Sequence, residues 1–426
     1  MKIKTKKIAY EQLVKMPGRV HHDPVRPIKG LRWLIKALSA SELKKAGFTY
    51  SLHGMERLGA EQPCLILMNH SSFIDLKIAE TVMYPRPLNI ICTSDGLVGK
   101  EWLMRQVGCI PTNKFVTDVQ MVKDMYYALH TLGNSVLMYP EASYTFDGTA
   151  TPLPDTIGKC LKLLKVPVVM IRTHGAFLHD PLYNNLQIRK VDVHADVTYL
   201  LSKEDISNRS VRELQKQIKE EFTFDNFREQ QEKHISVTED FRTDCLERVL
   251  YKCPHCGRED GMQGKGIYIG CAHCGMRYEL TEYGYLKTTM GDAAFTHIPD
   301  WYQWQREEVQ KEIADGRYQL DVPVDICIMH DMKAVYQVGE GKLQHDKNGF
   351  YLTGCEGKLA YHQSAKVSYS LYADYYWYEI GDVICIGDVI CIGDMEQLYY
   401  CFPKENIPVA KVRIAAEELY KLVKHQ

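Results

Sequence analysis

The chain has 426 residues and a formal net charge of −2, with 45% hydrophobic and 25% charged residues. These values belong to a folded globular protein of two or three domains and exclude a disordered chain. No early apolar block reads as a signal sequence and no run approaches the roughly 20 apolar residues of a helical membrane span, so a cytoplasmic protein is expected.

Fourteen cysteines fit that compartment. Four form a metal pattern, and others such as Cys64, Cys92 and Cys160 lie in apolar runs, where a reduced thiol packs as a small hydrophobe. Residues 1–46 are basic. Up to Lys36 there are ten Lys or Arg against two acids, Glu11 and Asp23. Residues 29–38 read as a short helix with Leu31, Leu34, Ile35 and Leu38 on one face. Trp33 lies beside that face, and Lys29, Arg32 and Lys36 lie toward the other. A basic amphipathic helix with Trp suits an anionic membrane surface; packing on the domain core is the alternative. The segment is expected to hold the protein peripherally on the inner face of the membrane.

Residues 47–202 alternate apolar strands with helical patterns, which predicts an α/β domain with a mostly parallel or mixed sheet. Strands are expected at 48–53, 64–68, 88–93, 109–111, 135–139 and 166–172. The run 186–201 is long enough for two strands or a hairpin. Helices are expected at 73–83, 97–107, 117–131 and 155–164. The apolar run 64–68 ends at Asn69-His70, and a helix follows, with Ser71 or Ser72 as its cap. His70 therefore stands at the carboxyl end of a buried strand, where open α/β sheets bind ligands. Asp75, five residues on, can reach one ring nitrogen and leave the other to take a proton. The spacing alone is weak, since Ser72 and Asp75 also fit a capping box.

Residues 203–250 read as an exposed helical connector. In 251–282, Cys253-Pro254-His255-Cys256 is followed by Cys271-Ala272-His273-Cys274. Two such pairs make two knuckles around one tetrahedral zinc, a closed structural site with Cys253, Cys256, Cys271 and Cys274 as ligands. The near-neutral surroundings, Arg258-Glu259-Asp260, do not favour nucleic acid. After a polar, aromatic linker at 283–317, residues 318–426 look mainly β, with a terminal amphipathic helix at 409–424. Strands are expected at 322–329, 334–338, 343–352, 365–373, 376–380 and 398–402. That order resembles a pleckstrin-homology or GRAM-like barrel. Gly381-Asp382-Val383-Ile384-Cys385-Ile386 is repeated from Gly387 to Ile392, an even step that preserves strand alternation.

Asn69-His70-Ser71-Ser72-Phe73-Ile74-Asp75 resembles the first signature of the glycerolipid acyltransferase family, the 1-acylglycerol-3-phosphate acyltransferase group. Three further blocks follow in the family's order. Gly108-Cys109-Ile110-Pro111-Thr112-Asn113-Lys114 resembles the second, which ends in a basic residue near the acceptor phosphate. Tyr139-Pro140-Glu141-Ala142-Ser143-Tyr144-Thr145-Phe146-Asp147-Gly148 resembles the third. Val166-Pro167-Val168-Val169-Met170-Ile171 resembles the fourth. The resemblance covers about residues 48–201.

It implies O-acyl transfer from acyl-CoA or an acyl carrier protein to the free hydroxyl of a lysophosphatidate-like glycerolipid. His70 would be the general base and Asp75 would orient it. Asn69, Lys114, Glu141, Ser143 and Arg172 would bind substrate. Lys114 would meet the phosphate, and Glu141 would bind an acceptor hydroxyl or hold the loop. The family's third-block Gly-Thr-Arg is here Ala142-Ser143-Tyr144, and its arginine is missing. Arg172 or Lys159 could supply that charge, or the acceptor could be another lysolipid or lipid alcohol. His174, after a buried strand, is a further polar candidate. A different class of reading is a non-catalytic adaptor built on the ribbon and the β-domain.

Overall fold

Leu65–Met68 are four consecutive fully buried residues. Ile66 and Met68 pack in one hydrophobic layer, and Leu65 and Leu67 in the layer on the opposite face. A strand covered on both sides is what an unbroken apolar run makes. In the computed structural model, which describes residues 4–116, 118–288, 290–374 and 389–424, this strand lies at the middle of a seven-stranded sheet. The order across the sheet is Thr49–His53, His194–Leu201, Val168–His174, Leu65–Met68, Ser135–Met138, Leu88–Thr93 and Cys109–Thr112. Only the pairing of Val168–His174 with His194–Leu201 is antiparallel. The expected mixed, mostly parallel sheet is therefore present. The 186–201 run yields one strand, not two, because residues 186–193 turn through a 3-10 helix exit and irregular backbone.

The stretch 203–233 is not a single exposed connector. It forms Lys203–Asn208, Val211–Glu221 and Asn226–Glu232, and it buries Leu214, Ile218, Phe222 and Phe227. Val211–Glu221 packs against Ile157–Leu164, where a Cβ on Gly158 would stand 2.4 Å from the Val211 carbonyl. Only glycine permits that approach.

The four-cysteine segment carries a four-stranded antiparallel sheet from Met262 to Thr288. The expected linker is largely a helix, Ile298–Ala314. Its Trp301 is fully buried beside Tyr278 and donates to the Lys252 carbonyl at 2.9 Å. The C-terminal part is a curled, mainly antiparallel sheet in the order Leu359–Ser364, Gly349–Gly354, Val335–Asp346, Leu320–Met329, Leu398–Pro403, Val389–Gly393 and Tyr372–Asp374. Val409–Lys424 is the terminal helix. The predicted strands 334–338 and 343–352 regroup, because one long strand runs through to Asp346 before the chain turns at Gly349. The predicted strand 376–380, the first copy of the repeat and the first two residues of the second lie outside the described residues; residues 389–392 of the second copy fall in the strand Val389–Gly393.

The N-terminal segment divides its duties. Thr5–Lys7 pairs in parallel with Val335–Asp346 as an eighth strand of the C-terminal sheet. The predicted amphipathic helix extends over Lys29–Lys45. Arg32, expected on its polar outer face, is buried. Its guanidinium pairs with Glu80 at 2.7 Å and also donates to the Arg86 carbonyl. That pair anchors the helix to the α/β domain. Trp33, Leu34 and Leu38 stay exposed, as do Trp102 and Leu103 of the touching helix Glu101–Val107. Among the described residues no helix is long and apolar enough to cross a membrane.

Candidate active site

The carboxyl ends of Leu65–Met68, Ser135–Met138 and Val168–His174 lie side by side and carry the polar cluster. His70 Nδ1 stands 3.0 Å from Asp75 Oδ2. The same oxygen accepts the backbone N–H groups of Ser71 at 2.7 Å and Ser72 at 3.0 Å. Asp75 is the first residue of its helix, so it closes the turn itself. Ser71 and Ser72 are not the helix cap; Ile74 occupies that position without a side-chain cap. The Ser72 hydroxyl donates instead to buried Asp180, which also accepts the Phe73 N–H at 3.2 Å.

The imidazole is clamped between two phenol rings. Tyr139 lies 4.3 Å from its centroid and Tyr144 lies 4.0 Å away. About 20% of the His70 side chain remains exposed, against 1% for Asp75. Burial lowers the His70 pKa below its ordinary 6.5; Asp75 pulls it up, and Lys114 lowers it further. The Asp75 carboxyl is pushed up by burial, against the opposing hydrogen bond and charge of His70. A neutral imidazole that donates from Nδ1 leaves Nε2 as its proton acceptor.

Glu141 is fully buried under the same residue. One oxygen accepts the His70 N–H at 2.9 Å, and the other accepts the Thr151 N–H at 2.9 Å. Burial raises its pKa to about 7, although these bonds favour the carboxylate. Both Glu141 oxygens are thus engaged with backbone N–H groups of the site's own loops. Asn69 is also internal. Its amide bridges Ser71 Oγ and Thr173 Oγ1, both at 3.0 Å, and its oxygen accepts the Thr173 N–H at 2.8 Å. Ser143 is buried, donating to the Tyr144 carbonyl and accepting from Arg413. Lys114 places its ammonium 4.1 Å over the Tyr372 ring, close enough to act on His70.

Arg172 is elsewhere. Its side chain donates to the Thr223 carbonyl at the surface, at 3.4 Å. Strand alternation points it away from Thr173, which faces Asn69. His174 pairs with Glu229 at 2.6 Å and Asp196 at 3.1 Å, outside the His70 cluster. Lys159 is exposed on Ile157–Leu164. Sequence reasoning missed Asp180, Thr173 and the Tyr139–Tyr144 clamp. The aromatic letters of the third block were visible, but their stacking depends on two strands meeting.

The four cysteine sulfurs lie within 4.8 Å of one another. Cys253 to Cys274 is 3.6 Å and Cys256 to Cys271 is 3.7 Å. A tetrahedron with Zn–S of about 2.3 Å has edges of about 3.8 Å, so the four thiols fit a zinc ion. Gly257 and Gly275 follow the knuckles with φ of 74° and 75°, the left-handed turn each knuckle needs.

Residues 50–174 match the protein-family model described as Acyltransferase. A comparison with curated proteins finds no match. Among solved structures, the 1-acyl-sn-glycerophosphate (LPA) acyltransferase PlsC from Thermotoga maritima is similar at 15% identity, covering 45% of this chain and 77% of that one, with a TM-score of 0.37.

Proposed function

We propose that this chain, which carries an acyltransferase-family domain, is an O-acyltransferase of glycerolipid type. It moves a fatty acyl group from acyl-CoA or acyl-ACP to the free hydroxyl of a lysophosphatidate-like acceptor. The observation that carries the reading is the 3.0 Å His70–Asp75 pair at the strand end within the matched span. His70 Nε2 takes the acceptor hydroxyl proton as the oxygen attacks the thioester carbonyl. Asp75 holds the tautomer and stabilises the imidazolium that forms. The tetrahedral intermediate collapses, the C–S bond breaks, and the imidazolium returns its proton to the departing thiolate. Asn69 and Glu141 fix the turn that presents the base. The four cysteines would hold a structural zinc, which closes its own coordination shell.

The test is product detection with purified protein, acyl-CoA or acyl-ACP, and a panel of lysolipid acceptors. No transfer to any of them would sink the reading. Lys114 is the phosphate contact in this scheme. Lys114→Ala should raise KM for phosphate-bearing acceptors about tenfold, the worth of roughly 1.4 kcal/mol, and leave phosphate-free ones unchanged. An equal rise for both classes would remove that role. The second reading keeps the chemistry with a phosphate-free lipid alcohol. It is favoured by the Ser143 hydroxyl being engaged internally and by Tyr144 occupying one face of His70. Competition between the two acceptor classes separates them.

Exposed Trp33, Leu34, Leu38, Trp102 and Leu103, with Lys29 and Lys36 nearby, support a peripheral seat on an anionic membrane. Trp33→Ala with Trp102→Ala should release the protein from anionic vesicles in a flotation assay. Unchanged flotation would place the seat elsewhere.

A further inference from the structure

The third block is gripped from outside its own domain. Arg413, on the C-terminal helix, is 2% exposed. Its Nη1 donates to Ser143 Oγ at 3.2 Å, and its guanidinium lies 4.0 Å over the Phe146 ring. On its own side, Nε donates to Glu417 at 3.2 Å. Glu417 is held in turn by Ser370 at 2.7 Å and Arg306 at 2.8 Å. The fork is thus fixed at its base and reaches across to the turn. There the Ser143 hydroxyl passes the contact to the Tyr144 carbonyl at 2.9 Å. Ala142 has a φ of 55°, a left-handed conformation that a non-glycine residue keeps only when its surroundings hold it. Three residues of this turn touch His70: Glu141 accepts its backbone N–H, Thr145 donates its N–H to the His70 carbonyl at 3.1 Å, and Tyr144 covers its ring.

We propose that Arg413 is a positioning residue of the active site, fixing the turn from Glu141 to Phe146 and, through Tyr144, the seat of the His70 ring. The proposal rests on the acyl-transfer reading for its catalytic meaning, though the clamp itself can be read without turnover. It makes the C-terminal part a component of the catalytic unit. A simple interface pin would use the same contacts but leave His70 unaffected.

Two variants of the full chain separate these cases. Arg413→Lys keeps a cation for Glu417 but loses the planar fork over Phe146. Ser143→Ala leaves every Arg413 ion pair intact and deletes only the bridge. Ser143→Ala carries the test alone if Arg413→Lys does not fold. The first readout is NMR titration of the His70 ring, assigned with His70→Ala. The ring's charged and titratable neighbours are Asp75, Lys114, Tyr139, Tyr144 and, at its backbone, Glu141. Loosening Tyr144 admits water, so the His70 pKa should rise toward its ordinary value. The second readout is turnover: kcat should fall about tenfold with KM within about twofold, the pattern of a misplaced base. If His70 titrates as in the wild type in a folded variant, Arg413 only pins the interface and the proposal is overturned. If the wild type transfers no acyl group while the His70 titration still moves in the variants, the acyl-transfer reading fails and the positioning role stands.

Discussion

Replacing His70 by alanine should lower acyl transfer by about 10²–10⁴, the usual worth of a positioned general base, with little change in fold. The ring is a fifth exposed, and its backbone bonds to Glu141 and Thr145 do not need the imidazole. Asp75→Asn tests the charge. The asparagine oxygen, placed where Asp75 Oδ2 stands, still accepts the Ser71 and Ser72 N–H groups and the His70 Nδ1–H. The tautomer and the turn are kept, but the imidazolium formed in the reaction loses its carboxylate partner, so turnover should fall. The acid limb gives an independent check. In the wild type it should fall below 6.5, because burial depresses His70 and the neutral base persists to lower pH. Asp75 opposes that depression, so residual activity in Asp75→Asn should show a limb moved further down. Full turnover in His70→Ala, or a wild-type limb above 6.5, would rule out His70 as the base.

If the four-cysteine site holds zinc as proposed, removing the metal should weaken far more than the ribbon. Cys253 and Cys271 are buried in the same hydrophobic cluster as Tyr278, Trp301 and residues of the C-terminal helix. Glu259, between the knuckles, pairs with Lys411 of that helix at 2.8 Å, and Lys411 also reaches Glu312 at 2.7 Å. Zinc binding to zinc-finger peptides is worth about 10–16 kcal/mol of apparent folding free energy at pH 7; a zinc held by these thiols would share a part of that with the packing. Cys271→Ala should lose about one metal ion per chain, melt at lower temperature and become open to proteolysis within 251–282. Metal content by mass spectrometry and limited proteolysis read both effects. A variant that keeps its metal and melts like the wild type would show that these thiols are not the ligands.

Much of the α/β domain was legible in the sequence because its signals are local. A four-residue apolar strand, a polar turn and an acid five residues on identify their own geometry, and paired Cys-x-x-Cys knuckles do the same. Even there the cap was misjudged. Ser71 and Ser72 have the right chemistry, yet Asp75 takes both of their N–H groups and Asp180 takes the Ser72 hydroxyl. Contacts between distant segments left no such trace. Nothing local to Arg172 says that its neighbour is Thr223, or local to Arg413 that it meets a turn 270 residues earlier. Trp301 and Trp304 made 283–317 look like a link, because the partners of Trp301 are Tyr278 and the Lys252 carbonyl.

The parallel pairing of Thr5–Lys7 with Val335–Gln337 constrains the order of assembly. Thr5–Lys7 leaves the ribosome some 330 residues before its partner. At roughly 5–20 residues per second, the strand waits on the order of tens of seconds before its slot exists. The α/β domain can collapse in that interval, whereas the C-terminal sheet forms later and takes on a strand made some 330 residues before it. A bulky N-terminal fusion therefore burdens the last step of folding, and it does so in the half of the molecule farthest from the fusion in sequence.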